Sequence, residues 1–242
     1  MNDKILFHSI VGSHMWGVNH ENSDLDLIEV YISSTFDVFT GKMARTKFKP
    51  RASIQEAGQV DLVPLASDVD ITKMEIGHLV GLLKKGNINA IWTVMSPIAC
   101  EFEFEALSKL RPIVENNFST KTWLSVKGLT MNNLKKIEGG TSSFASPEKK
   151  RKALAFCGRV ILQFDELLDT GALNFDQPTE DWGNEDLKGL IDYIDDRIDE
   201  GNHVLADAPD SEAFDWYLFY LRRKKYEQDL VEDAEREIYL LV

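Results

Sequence analysis

The stretch GSHMWGVNHENSDLDL, residues 12–27, decides the expected fold of this chain. It joins two apolar segments, 5–11 and 25–32, that have the length and composition of strands. Side chains at positions i and i+2 of a strand point to the same face, so Asp24 and Asp26 are expected to project together, with Cα atoms roughly 6.5 to 7 Å apart. Because Asp is disfavoured within strands, two of them at alternating positions indicate a function. Such a pair can hold Mg²⁺ against a triphosphate.

A Gly-Ser turn stands at the exit of the first predicted strand. Gly12 allows a close or left-handed approach of the backbone there. Ser13 and the neighbouring N–H groups can face phosphate oxygens where such a turn opens a helix. We therefore expect Gly12 and Ser13 to contact the phosphates of a bound nucleotide.

Together these residues resemble the GS…SD(L/I)D signature of the DNA polymerase beta type nucleotidyltransferase superfamily. Residues 84–97, KKGNINAIWTVMSP, are similar to the GNxN segment of a prokaryotic branch of predicted nucleotidyltransferases associated with RNA repair. Residues 149–171 resemble the basic helix of that branch, which ends in a Leu-Leu-x-x-Gly turn. The resemblance implies an α+β fold: a small mixed β-sheet nucleotidyltransferase core with flanking helices, followed by a C-terminal helical bundle.

The resemblance also implies a third carboxylate from a neighbouring strand, acting as the base or as a ligand of a second metal ion. Three residues can supply it: Asp61, Asp68 and Asp70. We favour Asp70, because the residues after it lead directly into a predicted helix that ends at Gly86. Asp61 stays open, since apolar residues on both sides give it an equally good strand. The predicted catalytic and metal-binding set is therefore Asp24, Asp26 and Asp70.

Basic residues of the helical half are the candidates for contact with the triphosphate or the acceptor. These candidates are Lys127, Lys150, Lys152 and Arg159. Among them we select Lys127 and Arg159 for the nucleotide site. One position departs from the pattern: Phe156 stands where the branch commonly has a His, one helical turn before the position that matches Arg159.

The pattern along the chain predicts two domains, a nucleotidyltransferase catalytic domain at 1–118 and a helical substrate-binding domain at 119–242. Further strand-like segments lie at 54–65 and 69–74, and apolar spacing predicts helices at 75–85 and 87–94. In the second half, helices are predicted at 120–137, 147–168, 185–199 and 211–241, packed as a bundle.

Composition limits the class of partner. The formal charge of the 242 residues is -13, which disfavours a long nucleic-acid duplex, whose binding depends on neutralised phosphates. A basic run at 42–51 and a basic excess at 121–152 still permit a local groove for a nucleotide or an RNA end. No apolar run approaches the roughly 18 residues of a membrane span and no leader opens the chain, so we expect a cytoplasmic protein with no membrane partner.

These observations predict a Mg²⁺-dependent nucleotidyltransferase, with Mn²⁺ as an alternative metal ion. It would move an NMP, with AMP favoured, from a nucleoside triphosphate to a hydroxyl of an RNA end, a protein or a small molecule. The acidity and the Phe156 departure support a different hypothesis, a nucleotide-binding or antitoxin-like module that has lost turnover and acts through a protein partner. A third, weaker hypothesis is a kanamycin-type modifier of small molecules.

Overall fold

The computed structural model describes residues 3–20, 23–43, 46–52, 69–141, 144, 146–201 and 203–241. Five strands form one sheet in the order β3-β4-β2-β1-β5: β1 Lys4–Val11, β2 Leu25–Ile32, β3 Thr46–Ala52, β4 Val69–Glu75 and β5 Ala99–Glu101. Strands β2 and β4 run parallel, and the other neighbouring strands pair antiparallel. The sheet is therefore mixed, as predicted.

Helices stand between the strands along the chain, and the longest ones come after the last strand. They are α1 Gly12–Met15, α2 Thr35–Thr40, α3 Ile76–Leu83, α4 Ile88–Met95, α5 Ala106–Glu115, α6 Thr120–Glu138, α7 Pro147–Thr170, α8 Asn184–Asp199 and α9 Ser211–Leu241. The predicted architecture, a mixed sheet with flanking helices followed by C-terminal helices, is confirmed. Among the described residues, no helix combines the length and the apolar character needed to cross a bilayer.

The core beside the sheet explains why these segments became strands. Alternating residues of β2, Leu25 and Leu27, are buried on one face and pack with Ile10 of β1 and with Val69 and Ile71 of β4. Burial of large aliphatic side chains contributes about 1.5 to 3 kcal/mol each, so this alternation determines which face of β2 is inward. The even-numbered positions of β2, which include Asp26, therefore face the other way.

The described chain separates into two compact units. The first contains the described residues within 1–84, 89–116 and 210–242, and the second contains those within 85–88 and 117–209. The division predicted from sequence placed all of 119–242 in one helical domain, and it is wrong for α9, which packs in the first unit. The boundary predicted at residue 118 stays a prediction.

Polar anchors explain why α9 belongs to the first unit. Arg222 of α9 donates to the carboxylate of Glu75 at 2.6 Å, and Glu75 is buried. Asp229 accepts the backbone N–H of Thr35 at 2.9 Å and is itself paired with the buried Lys225 at 2.5 Å. A buried charge is costly unless it is paired, so these contacts hold α9 against β4 and α2.

Most element bounds agree with the sequence patterns. The predicted strands at 5–11 and 25–32 and the predicted helix at 211–241 correspond to β1, β2 and α9, with differences of a residue at most. Helices α2 and α5 and strands β3 and β5 had not been predicted. The strand expected at 54–65 lies outside the described residues.

Candidate active site

Two predicted metal ligands lie on adjacent strands. In the parallel pairing of β2 with β4, Asp26 is directly opposite Asp70. Neighbouring strands are about 4.8 Å apart, and paired residues point to the same face, so both carboxylates leave the sheet side by side. Asp24 is exposed and directly precedes β2, two residues before Asp26.

The charges of Asp24 and Asp70 both act on the carboxyl of Asp26. The pKa of Asp26 is raised above its ordinary value of 3.8, first by burial of the carboxyl and then by the negative charges of Asp70 and Asp24. The nearby His14 acts in the opposite direction and lowers it. Negative charge is therefore concentrated around Asp26, which is half-buried.

The Gly-Ser turn lies against the same carboxylate. Gly12 has φ +67°, and a Cβ built there would be 2.2 Å from Asp26 Oδ2 and 3.2 Å from its Cγ. The pairing of β1 with β2 explains this approach, because Asp26 is opposite Val11, the residue before Gly12. Glycine is needed at this position both for its backbone conformation and for the space that Asp26 occupies.

The rest of the turn is built from short backbone contacts. The carbonyl of Ser13 accepts the N–H of Val18 at 3.1 Å, and the carbonyl of His14 accepts the N–H of Gly17 at 3.1 Å. Trp16 is buried and meets Trp92 of α4 edge to face, with ring centroids 5.7 Å apart. Trp16 therefore serves packing, which fixes the turn to the helix beside it.

A row of charged side chains crosses the opposite face of the sheet. His8 of β1 is opposite Glu29 of β2, and Glu29 is opposite Lys73 of β4. His8 Nε2 lies 3.3 Å from one oxygen of Glu29, and Lys73 pairs with the other oxygen. Burial alone would raise the pKa of Glu29, but the hydrogen bonds from His8 and Lys73 hold it below its ordinary value of 4.5. Glu29 thus links three strands, which is a structural role.

The two predicted nucleotide contacts of the helical half belong to the second unit. Lys127 of α6 pairs with Asp195 of α8, and Asp195 also accepts Trp123 Nε1 at 2.7 Å. Arg159 of α7 is buried and donates to Thr179 at 3.3 Å. Within the described part of the chain, Arg159 Nε has no hydrogen-bond partner, and burial lowers the pKa of this guanidinium. Their contact with a triphosphate stays a prediction.

The donor set at the sheet edge suits a hard cation. Over the described ranges, no group of three or more His, Cys, Asp or Glu side chains stands at metal-ligand spacing. Mg²⁺ usually takes one or two protein carboxylates and completes its shell with water and substrate phosphates. The facing pair Asp26 and Asp70, with Asp24 beside it, fits that requirement. The alternative third acids, Asp61 and Asp68, lie outside the described residues.

Sequence reasoning missed the close contact between Gly12 and Asp26 and the electrostatic effect of His14 on that carboxylate. Only the register of β1 against β2 brings these residues together, and register depends on pairing between segments distant in sequence. The usable signal was the position of the Gly-Ser turn directly after one strand and of the acids at the start of the next.

Comparison with known protein families identifies the family of this chain. No curated protein matches the chain. The crystal structure of a nucleotidyltransferase-like protein from Exiguobacterium sibiricum 255-15 is similar, with 11% identity, a TM-score of 0.32, and coverage of 93% of this chain and 70% of that chain. The model of the RNA repair pathway DNA polymerase beta family matches residues 1–195. The chain therefore belongs to the RNA repair pathway DNA polymerase beta family, and so to the polymerase beta type nucleotidyltransferases.

Proposed function

We propose that this nucleotidyltransferase moves an NMP, AMP in the first instance, from a nucleoside triphosphate to a hydroxyl acceptor, with an RNA end as the first acceptor to test. The observation that supports it is that Asp26 is opposite Asp70 on the neighbouring strand. Gly12 lies against Asp26, and it can come this close only because it has no Cβ. A cytoplasmic location is part of the proposal.

In this proposal Asp24, Asp26 and Asp70 hold Mg²⁺, or Mn²⁺ in its place. The ion would supply charge neutralisation at the triphosphate and at the leaving pyrophosphate. Burial and then the negative charges of Asp70 and Asp24 raise the pKa of the Asp26 carboxyl, and a bound cation would relieve the repulsion between these charges.

The protein groups then have separate roles in the reaction. Asp70 takes the proton of the acceptor hydroxyl, whose oxygen forms a bond to the α-phosphorus. The bond from the α-phosphorus to the pyrophosphate oxygen breaks, and pyrophosphate leaves with the electron pair. Ser13 donates a hydrogen bond to the β- or γ-phosphate, and Gly12 keeps the turn against Asp26. Lys127 and Arg159 are further proposed contacts of the triphosphate or the acceptor.

The test is transfer of label from α-labelled nucleoside triphosphates to RNA pools and to protein acceptors in the presence of Mg²⁺. Wild type should label an acceptor, and Asp26→Asn should lose the activity by at least ~100-fold, since the change removes a proposed metal ligand. Asp192→Asn, at an exposed position of α8, is the matched control and should retain it. Equal products from wild type and Asp26→Asn would contradict the proposed role of the carboxylates.

The alternative proposal is a nucleotide-binding or antitoxin-like module without turnover. The specific observation in its favour is that Lys127 is already paired with Asp195, which reduces the positive charge offered to a triphosphate. Calorimetry with Mg²⁺ and a nonhydrolysable ATP analogue separates the two. Binding without label transfer to any acceptor supports the module, and transfer supports the enzyme.

A further inference from the structure

Among the described residues, the buried acidic and basic side chains are paired, base with acid, with one exception. The paired ones are His8, Glu29, Glu75, Lys225 and Asp229. The exception is Arg159 of α7, which is 6% exposed and forms no ion pair with any described residue. A buried charge is costly unless a partner compensates it, so Arg159 is a position where the chain leaves a counter-charge to be supplied.

The hydrogen bonds of Arg159 agree with that conclusion. Its Nη1 donates to the hydroxyl of Thr179 at 3.3 Å, which is longer than the about 2.7 to 3.2 Å of an ordinary N–H···O bond. Its Nε is buried and has no acceptor in the described part of the chain. Burial lowers the pKa of the guanidinium, so a nearby anion would stabilise its charged form. The planar fork of a guanidinium suits an oxyanion, which is the kind of partner that Arg159 lacks.

A second donor without an acceptor lies beside Arg159. The segment 172–183, which has no helix or strand, runs along α7 and contains both Thr179 and Trp182. A Cβ built at Gly158, the residue before Arg159, would be 2.2 Å from the indole nitrogen of Trp182. That nitrogen is buried and makes no hydrogen bond to the described residues. Thr179 is exposed, so the guanidinium that it contacts lies just beneath the surface, within reach of a small anion.

Burial selects the kind of anion. A phosphate within an RNA strand carries a ribose on each side, whereas a terminal phosphate presents three acceptor oxygens at its tip. A nearly enclosed guanidinium is reached by such a tip and not by the middle of a strand. We propose that Arg159 binds the terminal phosphate of an RNA end, with the indole N–H of Trp182 as a second donor. The choice of RNA as the molecule that carries the phosphate rests on the proposed function.

The test compares RNAs that differ only in their ends. Short single-stranded RNAs with an internal fluorescein carry a 5′-phosphate, a 3′-phosphate or hydroxyls at both ends, and fluorescence anisotropy measures their binding to the full chain without Mg²⁺. Wild type should bind at least one phosphate-ended RNA ~10-fold or more tightly than the hydroxyl-ended RNA, as charge-assisted hydrogen bonds predict. Arg159→Gln should abolish this preference. Equal binding of all three RNAs by wild type, or an unchanged preference in Arg159→Gln, would overturn the proposal.

Arg151→Gln is the matched control. Arg151 is an exposed residue of the same helix, so the change removes the same charge away from the buried position, and the preference for a phosphate end should remain. Trp182→Phe keeps an aromatic ring and removes the N–H donor, so it should weaken the preference by ~3-fold or more. Circular dichroism checks that every variant is folded. Should Arg159→Gln not fold, Trp182→Phe decides: a weakened preference supports the proposal, and an unchanged one overturns it.

Failure of the proposed function would give a different result. Binding without Mg²⁺ does not require transfer, so Asp26→Asn should lose label transfer and keep the preference for a phosphate end. If wild type transfers no label but its preference depends on Arg159, the proposed function fails and the phosphate site stands. If wild type transfers label and shows no such preference, the phosphate site is overturned and the proposed function stands.

Discussion

Gly12 offers the sharpest test of the proposed site, because its substitution by alanine has two separable costs. The first is the backbone: an L-residue at φ +67° costs about 1 to 2 kcal/mol. The second is steric, since the new Cβ would stand 2.2 Å from Asp26 Oδ2. Carbon and oxygen atoms in weak contact are about 3.3 Å apart, so the carboxylate must retreat by about 1 Å.

A displacement of that size matters for a proposed metal ligand, because a misplacement of about 1 Å at a reacting centre can cost ~100-fold in rate. Gly12→Ala should therefore lose about 1 to 2 kcal/mol in the free energy of unfolding and ~100-fold in the rate of NMP transfer. Urea unfolding measures the first quantity, and initial rates with labelled ATP measure the second.

Gly17→Ala separates the two costs. Gly17 has φ +64° in the same turn, and a Cβ there would have no heavy atom within 4 Å. This variant should show the same loss of stability as Gly12→Ala and keep its rate of transfer and its affinity for Mg²⁺ with a nonhydrolysable ATP analogue. Equal losses of turnover in the two variants would refute the argument that contact with Asp26 makes Gly12 necessary.

Three further predictions need only purified protein and unfolding curves. Gly158→Ala should destabilise by about 1 to 3 kcal/mol, because a Cβ would be 2.2 Å from the Trp182 indole nitrogen, whereas Gly128→Ala, with open space around it, should stabilise by about 0.5 to 1 kcal/mol. Glu29→Gln should flatten the dependence of stability on pH at the acid end. The lowered pKa of Glu29 gives wild type a stability that is present above pH 4.5 and is lost as the pH falls through the pKa of the folded state. Urea midpoints measured from about pH 3 to 6, around the ordinary pKa of a glutamate, test this expectation. Asp26→Asn should raise the urea midpoint of unfolding at neutral pH. The raised pKa of Asp26 favours the folded state below pH 3.8 and opposes it once the carboxyl is charged in the folded protein. A lower midpoint for the variant at neutral pH would contradict this electrostatic account.

How much of the fold the sequence could predict depends on whether the signal was local. Strand β2 and helix α9 were predicted from the spacing of apolar residues, and both agree with the structure because that spacing is what packing selects. The pairing of Asp26 with Asp70 was not readable in the same way. It depends on the register of two parallel strands that are separated by more than thirty residues. The residues after Asp70 favoured it as the third acid, but they do not encode that register.

The packing of α9 could not be predicted for a related reason. Its buried face includes Arg222 and Lys225, and cations on a helix usually indicate a solvated side. Their partners, Glu75 at the end of β4 and Asp229 one helical turn on, compensate the charges, and the contact with Glu75 joins residues distant in sequence. A pattern of apolar spacing therefore assigned the correct helix to the wrong neighbours.

The charged residues on the two faces of the sheet affect the stability of the fold in opposite directions. On one face, Glu29 lies between His8 and Lys73, and the opposite charges lower its pKa and support the folded state. On the other face, Asp26 is opposite Asp70 and two residues after Asp24, and burial together with these like charges raises its pKa and opposes the folded state once the carboxyl is charged. A protein can retain such repulsion where a bound ligand relieves it, since a ligand that binds the native state stabilises it. Strand β2 thus carries Glu29, whose charge is compensated by His8 and Lys73 and supports the fold, and Asp26, whose charge is left for a cation to compensate.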